Sequence, residues 1–432
     1  MKRVLTFIIV IFGVFLLPQI IGPVVDRITY PQLKKEAEKV LQYFDEVSVD
    51  DTSNAWFYYS RAGEQFDDSG WHKDVFQYID GKIEITPNIL SAIRENKQTL
   101  ELLRDGTKCD FCKIPYNPEI WAPSSFSMSS SNLDEIVDIA YTQSLFNLEN
   151  MNNEKAIADI FSIMTISEHV ASNGHAIDYM MGCWFFCQSY KLLRMGLESG
   201  AFDEVQLEII SNKLKVFEEE WPKFARVLEI EAKSTLMMLS ESRKEITARQ
   251  FMAMMFLRYI NWKHFFSFNF AILGGYRFMN ELSDELEEKE DIDSLIFNFD
   301  DNLEKDIEER IRNYSLKNLM YGIGLANIVR LYERKLSILT KIRILHLCSE
   351  VQRYKLRNGH YPPSIDDFDR KISIDLNSGE YFSYTNYGDS VIVSSSGNDP
   401  TEQKDDVSLT LTNIGIKRYL KRKRDSSKKP EQ

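Results

Sequence analysis

Apolar residues recur at steps of three and four positions along most of the chain, which is the spacing of one face of an α-helix. From Leu133 onward such helical stretches follow one another, and one of them carries Ile210, Leu214, Phe217 and Trp221 on one face. Short connections between helices favour antiparallel neighbours. The pattern therefore predicts an array of helical hairpins, separated by polar breaks at Asn152-Asn153, Asn173-Gly174, Ser199-Gly200 and Trp221-Pro222.

Helical spacing also precedes and follows this array. We predict helices within residues 31–46, 52–66 and 87–104, the last of them ending at Gly106. A long helix is predicted from Leu316 to Asn358, where Asn358-Gly359 supplies a C-cap and Pro362-Pro363 prevents continuation.

Beyond these prolines the apolar period changes to two, which is typical of β-strands. Asn386-Tyr-Gly-Asp389 has the composition of a hairpin turn. We therefore predict a mainly α fold whose hairpin array follows an N-terminal transmembrane helix, with a small C-terminal antiparallel β-sheet packed on the long helix. The alternating residues are Ile372, Ile374 and Leu376; Phe382 and Tyr384; Val391 and Val393; and Val407, Leu409 and Leu411.

The N-terminus has the pattern of a signal anchor. Lys2 and Arg3 precede 22 uncharged residues, Val4 to Val25, which is long enough to cross a bilayer. A cleaved signal peptide is the alternative, but no A-x-A-like cleavage site precedes Asp26. We expect residues 4–25 to stay in the bacterial inner membrane, and the positive-inside rule puts the N-terminus in the cytoplasm and the bulk of the chain outside it.

These signals divide the chain into five regions. They are a signal-anchor helix (1–25), an N-terminal helical region with a Ser- and Pro-rich loop (26–132), the hairpin array (133–315), the long helix with the β-hairpin region (316–416), and a basic, disordered tail (417–432).

Charge and cysteine content limit the function classes. The formal charge is −13, with 52 basic and 65 acidic side chains. Binding to the phosphate backbone needs a surplus of Lys and Arg, so we expect no nucleic-acid partner. Cys109 and Cys112 form a lone C-x-x-C followed by loop residues. In an oxidising compartment this pattern predicts a local disulfide or two inert thiols, and a redox-active pair is the alternative.

The sequence offers little catalytic chemistry. It has no G-x-S-x-G, H-E-x-x-H or Walker A motif. His169 and His175 are six residues apart, a spacing that does not put both rings on one helical face beside Glu168, so no metal site is predicted there. If the protein were an enzyme, its site would have to be assembled from scattered acids such as Asp134, Glu135 and Glu168.

One segment resembles a known family. Residues 350–368, Glu-Val-Gln-Arg-Tyr-Lys-Leu-Arg-Asn-Gly-His-Tyr-Pro-Pro-Ser-Ile-Asp-Asp-Phe, resemble the segment Y-x-L-x-x-G-x-Y-P-x-S-L-x-D-L of type II secretion pseudopilins. The chain also resembles a set of membrane-anchored helical proteins from planctomycete-type bacteria. These carry an N-A-x-x-Y helix, matched by Asn54-Ala-Trp-Phe-Tyr58, and a C-D-F loop, matched by Cys109-Asp-Phe111.

The resemblance implies a location and a fold, and one metal. In pseudopilins the loop after the last hairpin binds calcium, and the matching loop here is 394–406. The resemblance implies that calcium would bind here through Asp399, Asp405 and Asp406. An ordinary polar loop is the alternative. A pilin subunit is not expected, because the whole helical region separates the apolar N-terminal helix from this segment.

Two functions remain open from the sequence. The first is a non-enzymatic, membrane-anchored extracytoplasmic protein whose helices form a scaffold for an envelope protein partner. The second is an extracytoplasmic hydrolase or a lipid- or glycan-handling enzyme. A concave pocket with converging polar groups of shifted pKa would favour the enzyme.

Overall fold

A computed structural model describes residues 52–68, 72–113, 132–173, 175–245, 319–376, 378–395, 407–412 and 414–427, with parts of 31–39 and 276–284. Across these residues the fold is mainly helical with a small antiparallel sheet, as the sequence predicts. Within the same residues no helix combines the length and apolar character that a membrane span requires. The predicted anchor, residues 4–25, lies outside the described ranges.

Four short helices come first: α1 (Ala55–Gln65), α2 (His72–Ile79), α3 (Pro87–Glu95) and α4 (Lys97–Gly106). The prediction of a single helix over 87–104 is wrong, because the helix is interrupted at Asn96 and two helices form. The buried Asn96 amide donates to the Ala92 and Asp67 carbonyls and accepts from the Asp67 N–H at 2.9 Å. This side chain ties the break to the segment that follows α1.

The hairpin array consists of α5 (Leu133–Glu149), α6 (Asn153–Ser172), α7 (Ala176–Ser199), α8 (Glu204–Glu220) and α9 (Phe224–Glu245). All four predicted polar breaks fall between these helices. Gly182 of α7 allows a close approach to α6, because a β-carbon there would overlap the Ser167 carbonyl oxygen and the Ala171 side chain. The N-terminal helices pack on α5, which in turn packs on α6.

The long helix α10 (Leu319–Asn358) packs against α7 and α8 and ends at Gly359, whose φ of +79° fits the predicted C-cap. Four polar pairs join α8 to α10, and we call them the α8/α10 ladder. Each step along α8 is matched by an equal step back along α10, so the helices are antiparallel in one register. The pairs are Glu204–Arg357 (2.6 Å), Glu208–Arg353 (3.2 Å), Ser211–Glu350 (2.5 Å) and Glu218–Arg343 (2.6 Å).

The two ends of this ladder differ in burial. At its outer end the side chains of Arg357 and Glu204 are 51% and 46% exposed, whereas Arg343 and Glu218 at the inner end are 0% and 4% exposed. Arg343 also donates to the Ile374 carbonyl at 3.5 Å. A buried charge is tolerated when it is paired and hydrogen-bonded, so Glu218 makes the buried position of Arg343 tolerable.

The sheet contains β1 (Ser383–Asn386), β2 (Val391–Ser394) and β3 (Ser408–Leu411) in sequential antiparallel order. The predicted hairpin is confirmed: Asn386 pairs with Val391, and Gly388 takes a φ of +85° in the turn. Alternate side chains of β2 and β3 are buried, and β3 contacts α7 and α10. They join a hydrophobic core that runs from Ala55 to Leu420.

Two predictions for this C-terminal region are wrong. Residues 370–373 form a short helix, α11 (Arg370–Ser373), because the Asp369 carboxylate caps the Lys371 N–H at 2.9 Å. Only Ile374 of the predicted strand pairs, in an isolated bridge with Tyr381.

The predicted disordered tail instead begins with helix α12 (Ile416–Ser427). Ile416 and Leu420 are four residues apart and both are buried, so this basic helix has an apolar side that packs on α5 and α7.

Candidate functional site

The Asn54 side chain joins two segments that the sequence singles out separately. Its Oδ1 caps α1 by accepting from the Trp56 N–H at 3.1 Å, and it also accepts from the Lys113 N–H at 2.9 Å. Its Nδ2 donates to the Lys113 carbonyl at 2.7 Å, and the Ala55 N–H donates to the Phe111 carbonyl. The N-A-x-x-Y helix and the C-D-F loop therefore form one unit held by a buried amide.

Next to this unit, Tyr59 of α1 meets His169 of α6. The Tyr59 hydroxyl and the His169 Nδ1 are 2.8 Å apart and both side chains are buried. Burial lowers the pKa of His169 to about 4, while a hydrogen bond to the Cys109 backbone acts in the opposite direction. The ring is thus neutral at pH 7. A neutral imidazole has one N–H donor and one acceptor nitrogen. His169 therefore donates to the Cys109 backbone carbonyl and accepts from the Tyr59 hydroxyl through its other nitrogen.

Glu168, next to His169 in α6, has a pKa shifted towards neutrality. Burial, followed by repulsion from Glu220, raises its pKa to about 7. Tyr59 stays protonated, because burial and then the nearby Cys112, Cys109 and Glu168 raise its pKa. We call Tyr59, Cys109, Cys112, Glu168 and His169 the Tyr59 cluster.

The two cysteines of this cluster have different surroundings. Cys112 is buried, and burial, followed by the Asp178 and Cys109 charges, raises the pKa of its thiol. Cys109 is half-buried, and its sulfur lies 3.9 Å from the Thr52 carbonyl oxygen. Both are free thiols in the structure. A buried thiol with a raised pKa is a poor nucleophile, so Cys112 fits a packing role in this state, and the disulfide stays a prediction for the oxidised protein.

A second group of polar side chains lies at the junction of α6 and α7. The Asn173 amide donates to the Asp178 carboxylate, and Glu231 of α9 accepts from the Ala176 N–H at 3.1 Å. Burial lowers the pKa of His175 to about 4 and raises that of Glu231. The Glu231 bond satisfies a backbone donor in the first turn of α7, which is one of the groups that a helix leaves unpaired at its N-terminus.

The remaining predicted residues are spread more widely. Asp134 is exposed and Glu135 half-buried in the first turn of α5, where a carboxylate interacts favourably with the helix dipole. Asp399, Asp405 and Asp406 of the predicted calcium site lie outside the described residues. Within the part of the chain that the structure describes, no three His, Cys, Asp or Glu side chains are grouped as metal ligands.

Glu198 is an important residue that sequence reasoning missed. Its carboxylate accepts from Arg194 at 3.0 Å, from the Thr410 N–H of β3 at 3.1 Å and from the Tyr419 hydroxyl of α12. Its carbonyl accepts from Thr412. A carboxylate in the last turn of α7 interacts unfavourably with the helix dipole, so it needs a hydrogen-bond donor or a cation nearby. This position in the helix is the sequence signal that could have drawn attention to Glu198.

The acid–base chemistry that the Tyr59 cluster offers near neutral pH is proton exchange at Glu168. His169 and Tyr59 are neutral and bonded to each other, which favours a structural role over acid–base catalysis. Comparisons of the chain with protein-family models, with curated proteins and with solved structures find no match.

Proposed function

We propose that the protein is a membrane-anchored extracytoplasmic scaffold that binds an envelope protein through its helical surface. Residues 4–25 would be the anchor, with the N-terminus in the cytoplasm. Support for the anchor comes from the charge pattern around this segment: Lys2 and Arg3 precede it, and Asp26 ends the uncharged stretch.

The observation that carries the scaffold role is an apolar stripe on the outer face of α8. Val205, Ile209 and Val216 are 68%, 47% and 44% exposed. Their steps of four and seven put them on one side of the helix. Leu356 of α10 is exposed as well, and the register of the α8/α10 ladder puts it at the height of Val205. Contiguous exposed apolar surface is typical of protein-interaction sites.

The buried polar groups support the same role. The buried ion pair Glu218–Arg343 and the Glu198 contacts connect helices to one another and to the sheet. A rigid helical body with its polar groups used internally is suited to presenting a surface.

An extracytoplasmic hydrolase or a lipid- or glycan-handling enzyme is the second candidate, and Glu168 is the observation that favours it. A carboxyl with a pKa of about 7 can exchange protons at neutral pH. The neutral His169 and Tyr59 beside it are hydrogen-bonded to each other, so the scaffold explains more of the structure.

The scaffold is tested in spheroplasts that express the full chain with a photo-crosslinking amino acid at Ile209. We expect a discrete adduct with an envelope protein that disappears when Val205 and Val216 are changed to Asp. A crosslinker at exposed Lys73 of α2 is the matched control and should give no such adduct. Adducts of equal yield at both positions would overturn the proposed surface.

Topology is tested in the same cells. A peptide tag is fused after Gln432, because the packed helix α12 resists cleavage. External protease should remove this tag from intact spheroplasts, while mass analysis should find residues 1–25 retained. A tag that is removed only after lysis would overturn the extracytoplasmic location.

A further inference from the structure

An open recess lies where α3 and α4 meet α5, and none of its lining residues belongs to the Tyr59 cluster. Its volume is about 360 Å³, within the size range of small-molecule sites. Its apolar wall is formed by Leu90, Ile93 and Leu100. Leu90 and Ile93 are only half-buried, so an apolar ligand would remove further surface from water.

Three of the four other lining residues are basic, although the chain as a whole carries a charge of −13. Arg94 and Lys97 are exposed at the rim, and Arg104 lies deeper. Arg104 is already bound to Asp159 of α6, at 2.8 and 3.0 Å. Lys97 pairs with Glu101 at 3.6 Å, but both side chains are exposed and the pair is weak, so Arg94 and Lys97 are the cations best placed to meet a ligand. A rim of this sign selects an anion.

Gln143 of α5 supplies the remaining polar group. Its Oε1 is buried and has no hydrogen-bond partner among the described residues. Side-chain amide oxygen and nitrogen exchange places by a simple flip, so the same position can present an N–H donor to an incoming oxygen. A bound ligand head group would satisfy a polar side chain that the protein alone leaves unsatisfied.

We propose that this recess binds a single-chain anionic amphiphile of the fatty-acid class. The carboxylate lies between Arg94 and Lys97 within reach of the Gln143 amide, and the alkyl chain covers Leu90, Ile93 and Leu100. This site does not depend on the scaffold role, since it lies on other helices than the α8 stripe.

The test is calorimetric titration of the full chain in zwitterionic nanodiscs with decanoate, after subtraction of the heat from empty discs. We expect saturable binding of one decanoate. Decanol, which has the same chain without the charge, should bind at least about tenfold more weakly. Octanoate should also bind more weakly, by roughly threefold to fourfold for each CH₂ removed.

Charge reversal identifies the site. Arg94→Glu with Lys97→Glu should weaken decanoate binding more than about tenfold. The matched control, Lys213→Glu with Lys215→Glu on exposed positions of α8, makes the same change of net charge and should leave the affinity within about twofold. Thermal unfolding of both double variants checks that each is folded.

Three results would overturn the proposal. One is equal binding of decanol and decanoate, and another is an equal loss of affinity in the two double variants. The third is saturable binding of a poly-glutamate peptide, sensitive to Arg94→Glu with Lys97→Glu, in a protein that does not bind decanoate. That result would identify the recess as a site for an acidic polypeptide.

Discussion

Glu218 and Arg343 are 125 residues apart in the chain, yet their side chains form a buried ion pair with an Oε1–Nε distance of 2.6 Å. The pair closes the inner end of the α8/α10 ladder. At this position neither charge is hydrated, so each depends on the other.

Removing the charge of Glu218 is expected to destabilise the fold strongly. Glu218→Gln leaves the Arg343 guanidinium buried without a counter-charge, which costs on the order of 3 kcal/mol in the free energy of unfolding. Denaturant unfolding of the full chain measures this change. The control is Glu204→Gln at the exposed end of the ladder, where we expect no change beyond experimental error.

A double variant separates pairing from packing. Glu218→Leu with Arg343→Met replaces both charges by apolar side chains, and it should recover most of the stability that Glu218→Gln loses. A double variant less stable than Glu218→Gln would show that the two side chains stabilise the fold in some other way than by pairing.

Asn54→Ala is expected to loosen the loop that carries Cys109 and Cys112. The substitution removes the cap of α1 and both bonds to Lys113, a loss of about 2 kcal/mol. Hydrogen exchange should show faster exchange of the Lys113 amide. Asn150→Ala is the control, since Asn150 is exposed and bonds only locally, to the Phe146 carbonyl. Unchanged exchange at Lys113 in Asn54→Ala would contradict the proposed link.

The pH dependence of stability should separate Glu168 from His169. The folded-state pKa of Glu168 is raised from 4.5 to about 7, so its contribution to stability is present below pH 4.5 and is lost as the pH rises to 7. As the pH rises over this range, the unfolding free energy of Glu168→Gln should therefore increase relative to that of the wild type by on the order of 2 kcal/mol. Unfolding free energies measured from pH 4.5 to 7.5 test this gain.

The effect of His169 on the pH dependence of stability has the opposite sign. Its folded-state pKa is lowered from 6.5 to about 4, so stability is lost as the pH falls through this window. His169→Gln should lose less stability on acidification than the wild type does. If both variants followed the wild-type pH curve in parallel, neither group would be buried as described.

Alkylation of the native protein should distinguish the cysteines. Cys112, Cys183 and Cys348 are buried, and burial raises the pKa of each thiol. Iodoacetamide should modify half-buried Cys109 and Cys187 faster, by on the order of a hundredfold. Peptide mass analysis gives the rates, and in oxidised samples the loss of two hydrogens at Cys109 and Cys112 would report the predicted disulfide.

Tyr419→Phe tests whether α12 is anchored by Glu198. The variant removes one hydroxyl donor from a buried carboxylate, and we expect a loss of about 1–2 kcal/mol in unfolding free energy. Tyr387→Phe changes an exposed hydroxyl in the hairpin turn and is the matched control. Equal effects in the two variants would indicate that the α12 contact does not contribute to stability.

Periodicity predicted the elements whose stability comes from one apolar face. The helices of the array, α10 and the β1–β2 hairpin follow from local patterns and turn residues. Helix α2 is only eight residues long and was missed. The interruption at Asn96 and the helix at 370–373 depend on side-chain hydrogen bonds. Helix α12 depends on packing against helices that are distant in the sequence. Apolar periodicity contains neither kind of information.

The candidate site was less predictable. Cys109, Glu168 and His169 attract notice in the sequence as isolated residues, but Tyr59 and His169 are 110 residues apart. Only the tertiary fold brings them together. The bonding of Glu198 to β3 and α12 spans more than 200 residues, so no local pattern could have identified its partners.

The α8/α10 ladder also constrains how the gene can change in length. One inserted residue within α8 or α10 would rotate every later side chain by about 100° and separate all the pairs beyond it at once. Residues 246–318, which follow the packed helix α9 and precede α10, contain none of the four pairs. Insertions and deletions should therefore accumulate in that connection in related sequences, while the two paired helices keep a constant length.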